Sequence, residues 1–238
     1  MSQERGSVAY GKTVIDFMIE HSARKTVAIA VHPDCEVVVT APQGACSEKV
    51  RQLVHKRARW ILKQKHYFEQ FLPRTPSRKF VGGETHLYLG KRYRLKLISD
   101  EKPSVKLFWG YLEIRNPEPT LSLTVEKELY KWYKIRAEQK LRERFEACYT
   151  NFAEKHPIER PDLQIRKMKS RWGSYAVSGR LTLNLELIKA PIDCIDYIII
   201  HELCHVIHHD HGAEFYRLLK LMMPDYLSKK NKLEMSLT

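Results

Sequence analysis

The chain has 238 residues, 43% of them hydrophobic, 10% aromatic and 29% charged, and its 41 Lys+Arg against 28 Asp+Glu leave a formal charge of +13. That apolar content can build a core, which excludes wholesale disorder. No run reaches the roughly 18 apolar residues a membrane span requires; the longest candidate, Ile195 to Leu203, is broken by Asp196, His201 and Glu202. Gln3, Glu4 and Arg5 with no apolar run behind them exclude a signal peptide, so the chain reads as soluble, cytoplasmic and without a membrane partner. Cys35, Cys46, Cys148, Cys194 and Cys204 form no C-x-x-C pair, which points to reduced, packed thiols. The positive charge favours an anionic partner without naming it.

Strand-like runs are expected between Thr13 and Thr40, with Val27, Ile29 and Val31 alternating and Val37 to Val39 following. A helix over about 47–71 starts at Ser47, a capping residue, with Glu48 in its first turn. Val50, Val54, Ala58 and Ile61 mark one face; Lys56, Arg57, Arg59 and Lys63 lie on the other, and nucleic-acid contact through that basic surface is one reading. Leu72 to Ser77 is a turn-rich connector. Phe80 to Ser99 reads as strands punctuated by Gly82-Gly83 and Gly90, and Val105 to Ile114 as a further strand or hairpin. Leu129, Tyr133, Ala137, Leu141, Phe145, Cys148 and Phe152 then recur at helical spacing, with Thr124 as the expected cap and Pro157 as the stop. Leu163 to Lys167 is a short strand, and Arg171 to Ser174 a loop. Leu181, Leu183, Leu185 and Leu187 predict a strand with one buried and one accessible face. No internal repeat is evident.

Residues 201 to 211 read HELCHVIHHDH and hold five of the eleven histidines. In H-E-x-x-H, His201 and His205 lie one helical turn apart and can meet on one Zn²⁺, while Glu202 reaches the water rather than the metal. Chance supplies such a motif in a chain of this composition about 4% of the time, and a histidine six residues further on reduces that to about 0.2%. The composite is therefore specific where the motif alone is weak. On a continuing helix His211 would point about 120° away from His205. It becomes the third ligand only if the helix ends first, and Asp210 and Gly212 suit a left-handed reversal there. His208 and His209 are its rivals on an unbroken helix. Three imidazoles leave one position open for a water made acidic by the metal, with Glu202 as general base. Tyr216, Arg171 and His208 are candidates to stabilise an oxyanion, and Asp193, Asp196 or Glu214 to orient a ligand imidazole.

These landmarks, in order, resemble the YgjP-like metallopeptidase family, relatives of the SprT and WLM zinc peptidases. The resemblance runs from Trp60-Ile61-Leu62 through Gly83-Glu84, Tyr88-Leu89-Gly90 and Tyr93-Arg94-Leu95. It continues over Lys169 to Ser174, Leu183-Asn184, Ala190-Pro191 and Asp196-Tyr197, ending at the histidine segment and Phe215. It implies His201, His205 and His211 as ligands of one Zn²⁺ per chain and Glu202 as catalytic acid/base. Tyr175 stands where the family usually has Cys, Asp210-His211-Gly212 where it has Asn-His-Ser, and Phe215-Tyr216 where it has Phe-Trp. The resemblance also implies an extended peptide paired with an edge strand above the active-site helix. Leu181 to Leu187 lies in the right place for that strand, with Thr182, Asn184 and Glu186 lining the cleft.

The expected fold is α+β, with a β-rich region over 1–120 and a zincin-like region over 121–238, as two domains or one continuous body. Three functions compete: a zinc peptidase, the leading reading; a metal-dependent nucleoside triphosphate pyrophosphatase or phosphohydrolase, a role the resemblance also carries; and a zinc-stapled nucleic-acid module. Asn184, Arg171 and Tyr216 are the candidate substrate contacts. Lys167, Lys169 and Arg171 would ring the metal in a nucleotide enzyme, and a fourth protein ligand would mark the module.

Overall fold

A hairpin opens the fold in the computed structural model, which describes residues 3–24, 26–32, 34–69, 78–168 and 171–237. Strands β1 (Gln3–Tyr10) and β2 (Thr13–Ser22) pair antiparallel, β3 (Ala28–Val31) and β4 (Val37–Pro42) form a second hairpin, and β2 joins β4 in parallel. The sheet order is β1-β2-β4-β3. Helix α1 (Ser47–Glu69) buries the expected Val50, Val54, Ala58 and Ile61 against Ile15, Phe17, Ile19, Val37 and Val39. β1 is not legible in the sequence because its side chains stay mostly outside the core; backbone pairing with β2 holds it. The connector expected at Leu72 to Ser77 lies outside the described residues. Contacts group residues 1–76 as one unit and 77–237 as a second.

The second unit starts on the same plan. Strands β5 (Thr85–Tyr88), β6 (Lys91–Ser99), β7 (Ser104–Phe108) and β8 (Tyr111–Asn116) are ordered β5-β6-β8-β7, with β6 and β8 parallel, and a helix follows. The chain therefore repeats a topology of four strands and a helix where the sequence shows no repeat. The shared trace is slight: each first hairpin closes in a two-residue turn holding one glycine at positive φ, Gly11-Lys12 in the first sheet and Leu89-Gly90 in the second. Topology tolerates exchange of side chains as long as the in–out alternation is kept.

Helix α2 (Ser122–Lys155) buries the whole stripe read from the sequence. It starts before Thr124, which is not its cap: Leu121 occupies the cap position with no side-chain bond, and the Thr124 N–H donates to the Leu121 carbonyl. Next come β9 (Asp162–Arg166), β10 (Gly173–Ala176) and β11 (Arg180–Asn184), in the order β10-β11-β9. The strand expected to Leu187 ends at Asn184, because Leu185–Lys189 tightens into a 3-10 helix that buries Leu185, Leu187 and Ile188. Helices α3 (Ile192–Ile207), α4 (Ala213–Met222) and α5 (Tyr226–Leu237) close the chain.

Leu112 and Ile114 of β8 share one core with Leu129, Phe145, Leu181 and Ile199. Residues 85–116 thus pack with the C-terminal helices, and the contacts divide the chain near 76 rather than 120. The β5–β6 turn also fixes the start of α3. Leu89 and Gly90 N–H groups donate to the Ile188 and Lys189 carbonyls, and a Cβ on Gly90 would lie 2.7 Å from the Pro191 side chain. Among the described residues no helix is long and apolar enough to cross a membrane.

Candidate metal centre

Helix α3 is apolar around most of its circumference, which buries Cys194, Ile195, Ile198, Ile199 and Leu203 and holds its last two turns rigidly. Those turns carry His201, Glu202 and His205. The helix stops at Ile207, and the His208 N–H caps it on the Cys204 carbonyl. The reversal that brings His211 back is made with extended backbone at His208 and Gly212, and neither Asp210 nor Gly212 adopts positive φ. The left-handed turn expected there does not form; ending the helix four residues early is sufficient.

The three Nε2 atoms converge: His205 and His211 are 3.2 Å apart, His211 and His201 3.0 Å. Ligands at about 2.0–2.1 Å on a tetrahedral ion stand about 3.3 Å from one another, so the spacing fits a single small cation. The chemistry fits as well. His205 Nδ1 lies 3.0 Å from the His208 carbonyl, a bond that assigns its proton to Nδ1 and leaves Nε2 a bare lone pair. Burial pushes His201 down to about 3, helped by His205 and His211, and burial also lowers His205. Two neutral rings with facing lone pairs are what a zinc site requires. Phe215, fully buried on α4, packs against all three imidazoles with ring centroids 4.6–5.0 Å away. Among the described residues no fourth His, Cys or carboxylate joins the group.

Glu202 is 6% exposed, and burial raises its carboxyl to about 7, opposed by the Tyr175 backbone N–H and the Arg171 charge. Two of its neighbours carry no mark in the sequence. Gly173 approaches so closely that a Cβ there would lie 2.6 Å from Glu202 Oε1. Tyr175 acts through its main chain while its side chain packs at the edge of the core. Neither leaves a side-chain signal, although the Gly between Trp172 and Ser174 is a landmark of the resemblance.

The other expected residues divide. Arg171 is exposed and acts on Glu202 through its charge; Tyr216, 44% exposed, stacks on His211 at 6.1 Å. Asn184 does not face a cleft. It is 4% exposed, donates to the Met168 and Arg171 carbonyls at 3.0 and 2.8 Å, and accepts from the Met168 N–H. Thr182 is buried as well, and Glu186 pairs with Lys189. Because β11 is the middle strand of its sheet, it has no free edge to offer a peptide. Asp196 is held bidentately by Arg144 at 2.8 Å, Asp193 by Lys232 and Glu214 by Arg217, so these carboxylates are engaged away from the imidazoles. Lys167 lies over the Tyr130 ring, and Lys169 is outside the described residues.

Three histidines around one open position, beside a buried carboxylate on the same helix, define a metal-dependent hydrolase. The YgjP-like metallopeptidase domain matches residues 25–236, and the chain belongs to that family. Similar solved structures include the crystal structures of the metallopeptidase zymogens of Pyrococcus abyssi abylysin and Methanocaldococcus jannaschii jannalysin. Each is 20% identical, over 41% and 42% of this chain and 94% and 91% of theirs, with TM-scores of 0.36 and 0.37. No curated protein matches.

Proposed function

We propose that the chain is a zinc peptidase in which His201, His205 and His211 hold one Zn²⁺ and Glu202 is general base and then general acid. The observation that carries this reading is the convergence of three imidazole nitrogens, 3.0 and 3.2 Å apart, beside a buried carboxylate. When bound, the ion supplies Lewis acidity, bringing water ionisation toward neutral pH and polarising a carbonyl oxygen. Glu202 takes the proton of the attacking water. Its burial favours the protonated form, so it can hold that proton and pass it to the leaving amine. The Tyr175 N–H fixes the direction of the carboxylate, and Gly173 leaves it room. The Tyr216 hydroxyl, whose ring stacks on His211, and the Arg171 guanidinium, whose charge reaches Glu202, are the groups to stabilise charge on the substrate oxygen.

The strand suited to pair with an extended peptide is β10 rather than β11, since β10 is an outer strand and packs on α3. A nucleotide enzyme would gather cations around the metal, whereas Lys167 is committed to Tyr130. Buried thiols at Cys148, Cys194 and Cys204 suit a reducing cytoplasm. The test is turnover of an unfolded protein and of a nucleoside triphosphate panel by zinc-loaded wild type and Glu202→Ala. Glu202-dependent peptide cleavage supports the proposal. Glu202-dependent phosphate or pyrophosphate release without cleavage overturns it in favour of the nucleotide reading.

A further inference from the structure

The β7–β8 hairpin turns through Trp109 and Gly110, both at positive φ (45° and 82°), a two-residue turn of the type that favours Asn-Gly. A bulky residue at positive φ is strained, and here the strain is not repaid by packing. Trp109 is 85% exposed and meets the Phe108 ring edge-on, with centroids 6.2 Å apart. Phe108 and Tyr111, paired across the hairpin, are 56% and 42% exposed. Such a tip is costly unless it has a ligand.

The sheet behind it supplies the chemistry of that ligand. Alternation along β6 puts Leu95 and Leu97 toward the core and Arg92, Arg94 and Lys96 outward, about 6.6 Å apart along the strand. Register places Arg94 beside Tyr111 and then Phe108, and Lys96 beside Glu113 and then Lys106. Lys96 is neutralised by Glu113 at 2.8 Å, whereas Arg92, Arg94 and Lys106 form no ion pair among the described residues. Aromatic faces alternating with unpaired cations on an open sheet suit stacked bases and the phosphates between them. The matching sheet of the first unit is an internal contrast: the outward residues of β2 include Val14, Asp16 and Glu20, so a basic face does not follow from the topology.

We propose that the outer face of the β5-β6-β8-β7 sheet binds single-stranded nucleic acid, with bases stacked on Trp109, Phe108 and Tyr111 and phosphates on Arg92, Arg94 and Lys106. A duplex hides its base faces and does not suit this surface. None of these six residues belongs to the histidine cluster or to α1.

Fluorescence anisotropy of the full chain with a labelled oligothymidylate, at two salt concentrations, is the test. Expected are saturable binding, a log–log salt slope of about −2 for three phosphate contacts, and at least fivefold weakening by Trp109→Ala with little loss in Trp109→Phe. An abasic strand of equal length should bind more weakly by a similar factor. Because Trp109 is exposed, unchanged thermal melting of Trp109→Ala will separate lost binding from lost folding. Four results overturn the proposal: no binding; equal binding of abasic strand and oligothymidylate; binding abolished by Lys56→Glu with Arg59→Glu in α1 but indifferent to Trp109→Ala; or capture by phosphatidylserine vesicles in place of the oligonucleotide.

Discussion

Replacing Gly173 by Ala adds a single methyl group, yet it should cripple the enzyme. The new Cβ would sit 2.6 Å from Glu202 Oε1, 2.7 Å from Cγ and 2.9 Å from Cδ. Ordinary contacts begin near 3.4 Å, so the carboxylate must withdraw by roughly 0.5–0.8 Å. It cannot do so freely, being 6% exposed on the inner face of α3 and tied to the Tyr175 N–H. Gly173 is not at positive φ, so the substitution brings no backbone strain and its effect is confined to the approach of strand and carboxylate. Misplacing a catalytic group by about 1 Å can cost about 10²-fold. Turnover should therefore slow by roughly 30- to 100-fold, with zinc stoichiometry unchanged because no imidazole moves. Steady-state peptide turnover, metal content by atomic emission and thermal melting would be measured on the same preparation. A zinc-loaded, folded Gly173→Ala protein that turns over within about twofold of the wild-type rate would refute the reasoning.

The remaining predictions concern the same helix and its supports. In metal-free protein the Glu202 carboxyl is raised from 4.5 to about 7, so the folded state holds that proton more tightly than the unfolded chain. This stabilisation is complete below about pH 4.5 and is lost as pH rises through about 7, a difference of about 3 kcal/mol. Metal-free Glu202→Gln should therefore be more stable than wild type at pH 8 and close to it at pH 4.5; denaturant titrations that show the same gap at both pH values would refute this. Asn184→Ala removes four hydrogen bonds, three to Met168 and Arg171 and one from the Glu186 N–H, and should cost about 2–4 kcal/mol of stability, a lower melting temperature with KM little changed in what remains folded. A raised KM at unchanged stability would instead restore Asn184 as a substrate contact. Chelation should lower the melting temperature and abolish turnover, and His211→Ala should lose zinc while retaining its helical circular dichroism, since His211 lies between α3 and α4 rather than within either.

What the sequence displays at this site are groups whose identity is their function. Imidazoles four residues apart, followed by a third six residues on, can be counted, and the apolar stripes of α1 and α2 follow from periodicity alone. The main-chain parts of the centre are not displayed: the Tyr175 N–H on Glu202, the His208 carbonyl on His205 and the space left by Gly173 belong to positions that any residue, or no side chain, would fill. The apolar–polar alternation at Leu181 to Leu187 misleads for a related reason. Alternation signals a sheet with one wet face, but Thr182 and Asn184 are buried polar groups in a strand covered on both faces, and Asn184 spends its amide on the Met168 and Arg171 carbonyls. A hydrogen-bonded Asn in a covered strand and a solvent-facing Asn in an edge strand spell the same letter. The distinction lies in the partners that meet the side chain, here the Met168 N–H and the Met168 and Arg171 carbonyls. Arg171 and Trp172 lead directly into Gly173, and both have their carbonyls held by Asn184, through its amide side chain and its main-chain N–H, so the buried Asn184 helps fix the glycine that faces Glu202.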